Sequence, residues 1–228
     1  MKIQAIIPAA GSGVRLKSDV PKPFIELNGK PMIVHTLSIF ERCQHVASVV
    51  LVVPQDHMAE FEKLVGTHKL HKVIRIVAGG DTRQVSVYNG LQVVDHDTDI
   101  VLVHDGARPL AEATLIDRIL SQAGNEQALV IGVPLKPTVK RIDPEAMLVK
   151  ETIARHNLWE IQTPQIFRKE ILLKAHEANV AKEATDDAML VEKMGVKVRI
   201  IEGSYDNIKV TTPEDVALAE FYLNRKKA

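Results

Sequence analysis

The chain has 228 residues, of which 46% are apolar and 25% charged, and these values are ordinary for one globular domain with a sizeable core. Its 29 basic residues balance 29 acidic ones without a clustered basic patch, which argues against a polymeric nucleic acid as a partner. No apolar run is as long as a signal-peptide core or a membrane span, so we expect a cytoplasmic protein with no membrane partner. Cys43 is the only cysteine, which excludes an intrachain disulfide and a cysteine-based metal cluster.

The first 133 residues alternate between short Val/Ile-rich runs and helix-length amphipathic segments. This alternation is typical of βα units around a mainly parallel sheet. We therefore predict a single α/β domain over residues 1–228, with a Rossmann-like sheet flanked by helices. The predicted strands cover residues 2–8, 48–53, 72–78, 99–104 and 127–133.

A different pattern follows Pro134. Residues 138–142 and 148–153 alternate polar and apolar side chains around a turn at Asp143 and Pro144, which predicts a β-hairpin. This arm, residues 134–157, has too few apolar residues for a core of its own. We expect it to project and to pack on its own domain or on a partner subunit.

The rest of the chain returns to the α/β pattern. Thr212, Pro213 and the acidic residues after them are typical of a helix start. Before this last helix, we predict a strand near 158–163, helices near 168–181 and 186–194, and a strand near 196–202.

A glycine loop follows the first strand. Its small residues let a backbone approach a ligand and direct N–H groups at phosphate oxygens, and the loop is followed by the cations Arg15 and Lys22. It is not a dinucleotide fingerprint, because Leu16 stands in place of the third glycine, and it is not a Walker A motif, because Pro31 follows Lys30. Spacing alone leaves open a phosphate site or a structural turn with two solvated cations.

Two further strand ends carry polar residues. Asp81 lies in a glycine turn, where it could cap a helix or belong to a ligand pocket. Asp105 stands at the carboxyl end of a strand and offers the hard oxygen ligand that suits Mg²⁺, although it could instead cap a helix or pair with Arg108. We interpret His104 as a packed, hydrogen-bonded histidine, because no other ligand is at metal-binding spacing.

The string PAAGSGVRL followed by PKPF resembles the signature of the sugar-nucleotide pyrophosphorylase family. The rest of the chain resembles its cytidylyltransferase branch, most closely the enzymes that act on 2-C-methyl-D-erythritol 4-phosphate. This resemblance implies the nucleotide-diphospho-sugar transferase type of fold, a Mg²⁺ ion on Asp105, and catalytic roles for Arg15 and Lys22 at the α-phosphate of CTP. It implies nucleotide contacts for Pro8, Ala9, Ala10, Gly11, Gly13, Gly80, Asp81, Arg83, Ser86 and Ala107.

The resemblance extends to the acceptor, through the strings around Thr163, Thr185 and Asp206. It implies a homodimer in which Arg155 reaches the polyol phosphate of the neighbouring subunit. Pro137 departs from the family, which usually carries Asp immediately before this threonine. The residues implied to bind the acceptor are Thr138, Arg155, Thr163, Thr185, Asp206 and Lys209.

The reaction implied by the resemblance joins CTP to 2-C-methyl-D-erythritol 4-phosphate and releases diphosphate, as a step towards isoprenoid precursors. The acceptor phosphate is already an anion near neutral pH, since its second pKa is about 6, so no general base is required. Two alternatives stay open: a ribitol 5-phosphate cytidylyltransferase and a nucleotide-binding regulator without turnover.

Overall fold

The structure is a computed structural model that describes residues 1–11, 20–124, 126–179 and 184–225. The helices are α1 (Met32–Arg42), α2 (Met58–Thr67), α3 (Arg83–Gln92), α4 (Ala113–Gln122), α5 (Lys169–Ala178), α6 (Asp187–Glu192) and α7 (Pro213–Arg225). The strands are β1 (Ile3–Pro8), β2 (Glu26–Leu27), β3 (Lys30–Pro31), β4 (Ser48–Val53), β5 (Val73–Ala78), β6 (Ile100–Val103), β7 (Ala128–Pro134), β8 (Val139–Asp143), β9 (Leu148–Ile153), β10 (Trp159–Arg168) and β11 (Arg199–Glu202).

Seven strands form a central sheet in the order β11-β7-β10-β6-β1-β4-β5. Strand β1 pairs in parallel with β4 and β6, β4 with β5, and β7 with β11, whereas β10 runs antiparallel between β6 and β7. Every strand of the sheet except β10 therefore ends at the same edge. Open α/β sheets bind their ligands at this edge.

Helices cover both faces of the sheet, so strand β1 is buried on each side. Ile7 belongs to a cluster with α1, α2 and α4, while the neighbouring Ile6 packs with α3, α5 and α6. Burial on both faces explains why β1, β4, β6 and β7 are almost continuously apolar. A smaller cluster around Leu27 and Ala219 holds α7 against the two-stranded β2–β3 sheet.

Most of the predicted elements are confirmed, including the mainly parallel sheet, the hairpin and the start of α7 at Pro213. Strand β10 differs, because it continues to Arg168 although the sequence pattern places its end at residue 163. The pairing of β10 with β7 shifts register between Gln162 and Gln165, so Pro164 lies in a bulge and needs no ladder hydrogen bond. The short strands β2 and β3 were not predicted.

The arm is an antiparallel hairpin of β8 and β9. Asp143 Oδ1 accepts hydrogen bonds from the N–H groups of Glu145 and Ala146 and so closes the turn. Met147 and Leu148 are 72% and 66% exposed at its tip. None of the helices in the described ranges has the length and apolar character needed to cross a membrane.

Candidate active site

A cavity of about 520 Å³ opens where β1, β5 and β6 end, and most residues expected to bind nucleotide face it. A volume of this size is within the range of small-molecule sites. Gly13 and Arg15 lie outside the described residues. The predicted site residues that line the cavity are Pro8, Ala9, Ala10, Gly11, Lys22, Gly80, Asp81, Arg83, Ser86, Asp105, Ala107 and Lys209.

The turn between β5 and α3 is closed by Ser86. The Gly80 N–H donates to Ser86 Oγ at 3.2 Å, and the Ser86 hydroxyl donates to the Thr82 carbonyl at 2.9 Å. A Cβ on Gly79 would lie 2.4 Å from the Ala10 Cβ, so only glycine lets this turn approach the loop after β1. The helix cap is Thr82, whose side chain accepts from Val85 N–H, and not Asp81.

Lys22 begins a 3-10 turn, Lys22–Phe24, at the wall of the cavity. Phe24 anchors this turn, because its ring lies 4.7 Å from the ring of the fully buried Phe61. The apolar anchor fixes the backbone that carries the lysine. An ammonium group on this wall is suited to neutralise charge on a phosphate.

Asp105 lies between two cations in the floor of the cavity. Its Oδ1 is 2.8 Å from Arg83 Nε, and its Oδ2 is 2.6 Å from Lys209 Nζ. Burial opposes ionisation of this carboxyl, but Arg83 and Lys209 outweigh it and hold the pKa of Asp105 well below its usual range. Asp105 is therefore an anion paired with Arg83 and Lys209, whereas the Arg108 side chain donates to the Asn207 carbonyl.

Thr163 and His104 hold the backbone of Asp105 through a short chain of hydrogen bonds. The Asp105 N–H donates to Thr163 Oγ1 at 3.0 Å, and the Thr163 hydroxyl lies 3.1 Å from His104 Nδ1. His104 Nε2 carries its proton, because its partner is the Arg108 carbonyl. Burial lowers the pKa of His104 to about 4, so this ring is neutral at physiological pH. The interpretation of His104 as a packed, hydrogen-bonded histidine is confirmed.

A second buried carboxylate, Asp187, continues the charge network away from the cavity. Its Oδ2 is 2.7 Å from Arg83 Nη1, and its Oδ1 is 2.9 Å from His176 Nε2. Burial opposes ionisation here too, and Arg83 together with the hydrogen bond from His176 lowers the pKa of Asp187 below its usual range. Sequence reasoning identified neither Asp187 nor His176 as a site residue.

Gln165 links the segment around Thr163 to the segment around Thr185 by hydrogen bonds, and the family resemblance involves both segments. Its Nε2 donates to Asp186 Oδ2 at 2.7 Å, and its Oε1 accepts from the Ala188 N–H at 3.2 Å. Asp186 is also the N-cap of α6. The bond from Gln165 therefore fixes the start of the helix that carries Asp187.

The other residues expected to bind the acceptor do not line the cavity in the described part of the chain. Arg155 is exposed at the base of the arm and donates to the Lys136 carbonyl, and Thr138 is exposed nearby. Thr185 is exposed just before α6, and Asp206 forms an ion pair with Arg225. Thr163 is only 4% exposed. Of the predicted acceptor set, only Lys209 lines the cavity in the described part of the chain, and the roles of all six residues stay predictions.

The site offers a divalent cation one buried carboxylate. Among the described residues, no group of three or more His, Cys, Asp or Glu side chains could enclose a metal ion. Mg²⁺ commonly takes one or two carboxylates and completes its shell with water and substrate phosphates. Each oxygen of Asp105 keeps one lone pair beyond its bond to Arg83 or Lys209, so the residues present fit a cation shared with a triphosphate.

The carboxyl edge of this Rossmann-like sheet brings together a glycine turn, a lysine and a carboxylate paired with two cations, as suits a nucleotidyltransferase that holds nucleotide phosphates. The family model described as "IspD: 2-C-methyl-D-erythritol 4-phosphate cytidylyltransferase" matches residues 3–225. The chain belongs to this family.

Curated relatives cover the chain from end to end. A 2-C-methyl-D-erythritol 4-phosphate cytidylyltransferase of Geobacillus kaustophilus is 44% identical, over 100% of both chains. A bifunctional IspD/IspF enzyme of Desulfotalea psychrophila is 47% identical over 97% of this chain, which spans 57% of that longer protein. Among solved structures, the 4-diphosphocytidyl-2C-methyl-D-erythritol synthase of Anaerococcus prevotii superposes with a TM-score of 0.86 at 35% identity, covering 98% of this chain and 96% of its own.

Proposed function

We propose that this protein transfers a cytidylyl group from CTP to 2-C-methyl-D-erythritol 4-phosphate, in the non-mevalonate route to isoprenoid precursors. The observation that carries the proposal is the meeting of Lys22, the glycine turn at Gly80 and the Asp105–Lys209 pair in one cavity. The family and its relatives support the choice of substrates. We also propose a cytoplasmic location for the protein.

The reaction needs positioning and charge neutralisation more than proton transfer. A phosphate oxygen of the acceptor forms a bond to the α-phosphorus of CTP while the bond to the bridging oxygen breaks, and diphosphate leaves with the electron pair. The acceptor is already anionic, since the second pKa of a phosphate monoester is about 6. A general base is therefore unnecessary, and the chain's own task is to hold two polyanions together.

The cations divide this task between the two substrates. Lys22, together with Arg15, is proposed to neutralise charge on the α-phosphate in the transition state, and Lys209 to hold the acceptor phosphate. The base and ribose are proposed to lie against Gly80 and Ser86. Asp105 would hold a Mg²⁺ ion, which when bound supplies positive charge to the phosphates of CTP.

We further propose that the protein works as a homodimer in which the arm of one subunit reaches the acceptor site of the other. The exposed apolar tip of the arm, with Val149 59% exposed as well as Met147 and Leu148, supports this proposal, since such a surface is stabilised by a partner. Arg155 lies at the base of this arm, where its fork could hold a phosphate in two bonds.

The proposed function is tested by diphosphate release from CTP with a panel of acceptors. Release with 2-C-methyl-D-erythritol 4-phosphate and little with ribitol 5-phosphate supports the proposal. The reverse preference would identify a ribitol phosphate enzyme, and CTP binding without release from any acceptor would identify a regulator.

The role of Lys22 is tested in the same assay. Lys22→Ala should lower kcat by at least about 100-fold, because the ammonium acts on charge that develops in the transition state. Lys63→Ala, an exposed change on α2, is the matched control and should retain wild-type turnover. Near-normal turnover of a folded Lys22→Ala protein would contradict the assignment.

A further inference from the structure

A line of ion pairs that ends in a histidine hydrogen bond runs from the cavity into the interior of the protein. It begins at Lys209, passes through Asp105 and Arg83 to Asp187, and ends at His176. The side chains of Asp187 and His176 are each 1% exposed, and neither lines the cavity. Nothing in the reaction scheme above uses these two residues.

Stability alone is a weak reason for this arrangement. Removing two charges from water is costly, and well-packed apolar residues often stabilise a core as well as a buried ion pair does. The specific geometry of the contacts gives a stronger reason. Arg83 presents two nitrogens to two different carboxylates, Nε to Asp105 and Nη1 to Asp187, at 2.8 and 2.7 Å.

This division of the guanidinium anchors Arg83 beside Asp105. An arginine with one carboxylate partner commonly binds both of its oxygens through two parallel N–H groups. Here Arg83 bonds Asp105 Oδ1 only through Nε and bonds Asp187 through Nη1, while Lys209 binds the other Asp105 oxygen. The buried Nη2 has no hydrogen-bond partner among the described residues. Asp187 therefore anchors the guanidinium that bonds Asp105 Oδ1.

His176 fixes Asp187 in turn. A carboxylate only accepts hydrogen bonds, so His176 Nε2 carries the proton and donates it to Asp187 Oδ1. The imidazole is stacked near the Tyr88 ring, at 6.1 Å between ring centres. The two Asp187 oxygens are thereby assigned to different partners, one to His176 and one to Arg83.

We propose that Asp187 and His176 are positioning residues for the transfer reaction: they orient Arg83 so that Asp105 and Lys209 face the substrates as a pair. This inference rests on the proposed function. Wild-type diphosphate release tests that function by itself, and the ratio of variant to wild-type rates tests the positioning.

The first test compares His176→Gln with His176→Leu in steady-state turnover. Glutamine keeps an N–H donor, so His176→Gln should retain kcat within about threefold. Leucine removes the donor, so His176→Leu should lower kcat by about 10- to 100-fold, as is typical when a residue that orients a functional group is lost. Gln4→Leu is the matched control, because Gln4 is also fully buried and hydrogen-bonded, to Ser48 and Thr98. It should lower the melting temperature without lowering kcat.

The second test uses Asp187→Asn and remains decisive if His176→Leu does not fold. The amide keeps the size of the carboxylate but loses its charge, so the anchor of the Arg83 guanidinium is weakened. We expect kcat to fall at least tenfold, and a crystal structure should show Arg83 displaced from its contact with Asp105 Oδ1. An unchanged kcat within threefold, or a structure in which Arg83 and Lys209 keep their separate oxygens, would overturn the proposal. Equal kcat values for His176→Leu and His176→Gln would also overturn it.

Discussion

Thr163 connects the strand end that carries Asp105 to the neighbouring antiparallel strand. Its hydroxyl accepts from the Asp105 N–H and contacts His104 Nδ1, and the side chain is almost fully buried. Because both contacts occupy the Thr163 hydroxyl, this side chain serves to hold Asp105 in place. Its contribution to the reaction should therefore come through Asp105.

Thr163→Val should leave the Asp105 N–H without a partner and cost about 1–3 kcal/mol of unfolding free energy. Because Asp105 then loses its orientation, we expect kcat to fall by about tenfold or more. Thr163→Ser keeps the hydroxyl and should retain both properties, as measured by chemical denaturation and turnover. If Thr163 instead contacts the acceptor directly, Thr163→Val will raise KM for the acceptor and leave kcat unchanged.

At the scale of elements, α3 approaches the sheet more closely than a helix with side chains on every turn could. A Cβ on Gly90 would lie 2.7 Å from Ile6 Cγ2 and 3.1 Å from Val52 Cγ2, and both of these residues are fully buried. Gly66 in α2 has open space in the same position. The close approach places the start of α3, and hence Arg83, beside the ends of β1 and β5.

These two glycines predict opposite effects of the same substitution. Gly66→Ala should raise the unfolding free energy by about 0.5–1 kcal/mol, because alanine is the better helix former. Gly90→Ala should lower it by about 1 kcal/mol or more, because overpacking outweighs that gain. Thermal unfolding of both variants measures the difference, and stabilisation by Gly90→Ala would show that the helix and sheet are not in tight contact.

At the scale of the whole molecule, the described part of one chain does not bring together all the residues expected to bind the acceptor. Lys209 faces the cavity, while Arg155 and Thr138 lie at the base of the exposed arm. A second subunit whose arm reaches the cavity would bring these residues to the acceptor. The homodimer remains a proposal that mixed subunits can test.

Mixing Lys22→Ala with Arg155→Ala subunits should restore activity if Arg155 acts across the interface. Each hybrid dimer then contains one site with both wild-type residues, so random exchange should give about one quarter of wild-type turnover. Replacing the Lys22→Ala partner with a Lys22→Ala/Arg155→Ala double variant is the control and should give no recovery. No recovery in the first mixture, with subunit exchange shown by native mass spectrometry, would place Arg155 in its own chain's site.

The pattern of the sequence predicted the fold well wherever its signals are local. Strands β1, β4, β5, β6 and β7 fall within a residue or so of their predicted bounds. The apolar runs of β1, β4, β6 and β7 are buried on both faces, whereas β5 is a partly exposed edge strand with an apolar run that is equally short and local. Strand β10 was predicted too short, because a proline normally ends a strand, and its bulge depends on the pairing with β7. The glycine turn and the position of Asp105 were likewise found from local spacing.

By itself, the sequence determined the order of strands and helices, the loops at their carboxyl ends and, through its motifs, the family. Only the tertiary structure decided which charged groups meet. Arg83 lies 22 residues before Asp105 and 104 before Asp187, and it contacts both. Periodicity reports which residues are buried along one element, whereas ion pairs between elements depend on how the sheet brings their ends together. Asp187 and His176 therefore became visible as partners of the site only in the folded chain.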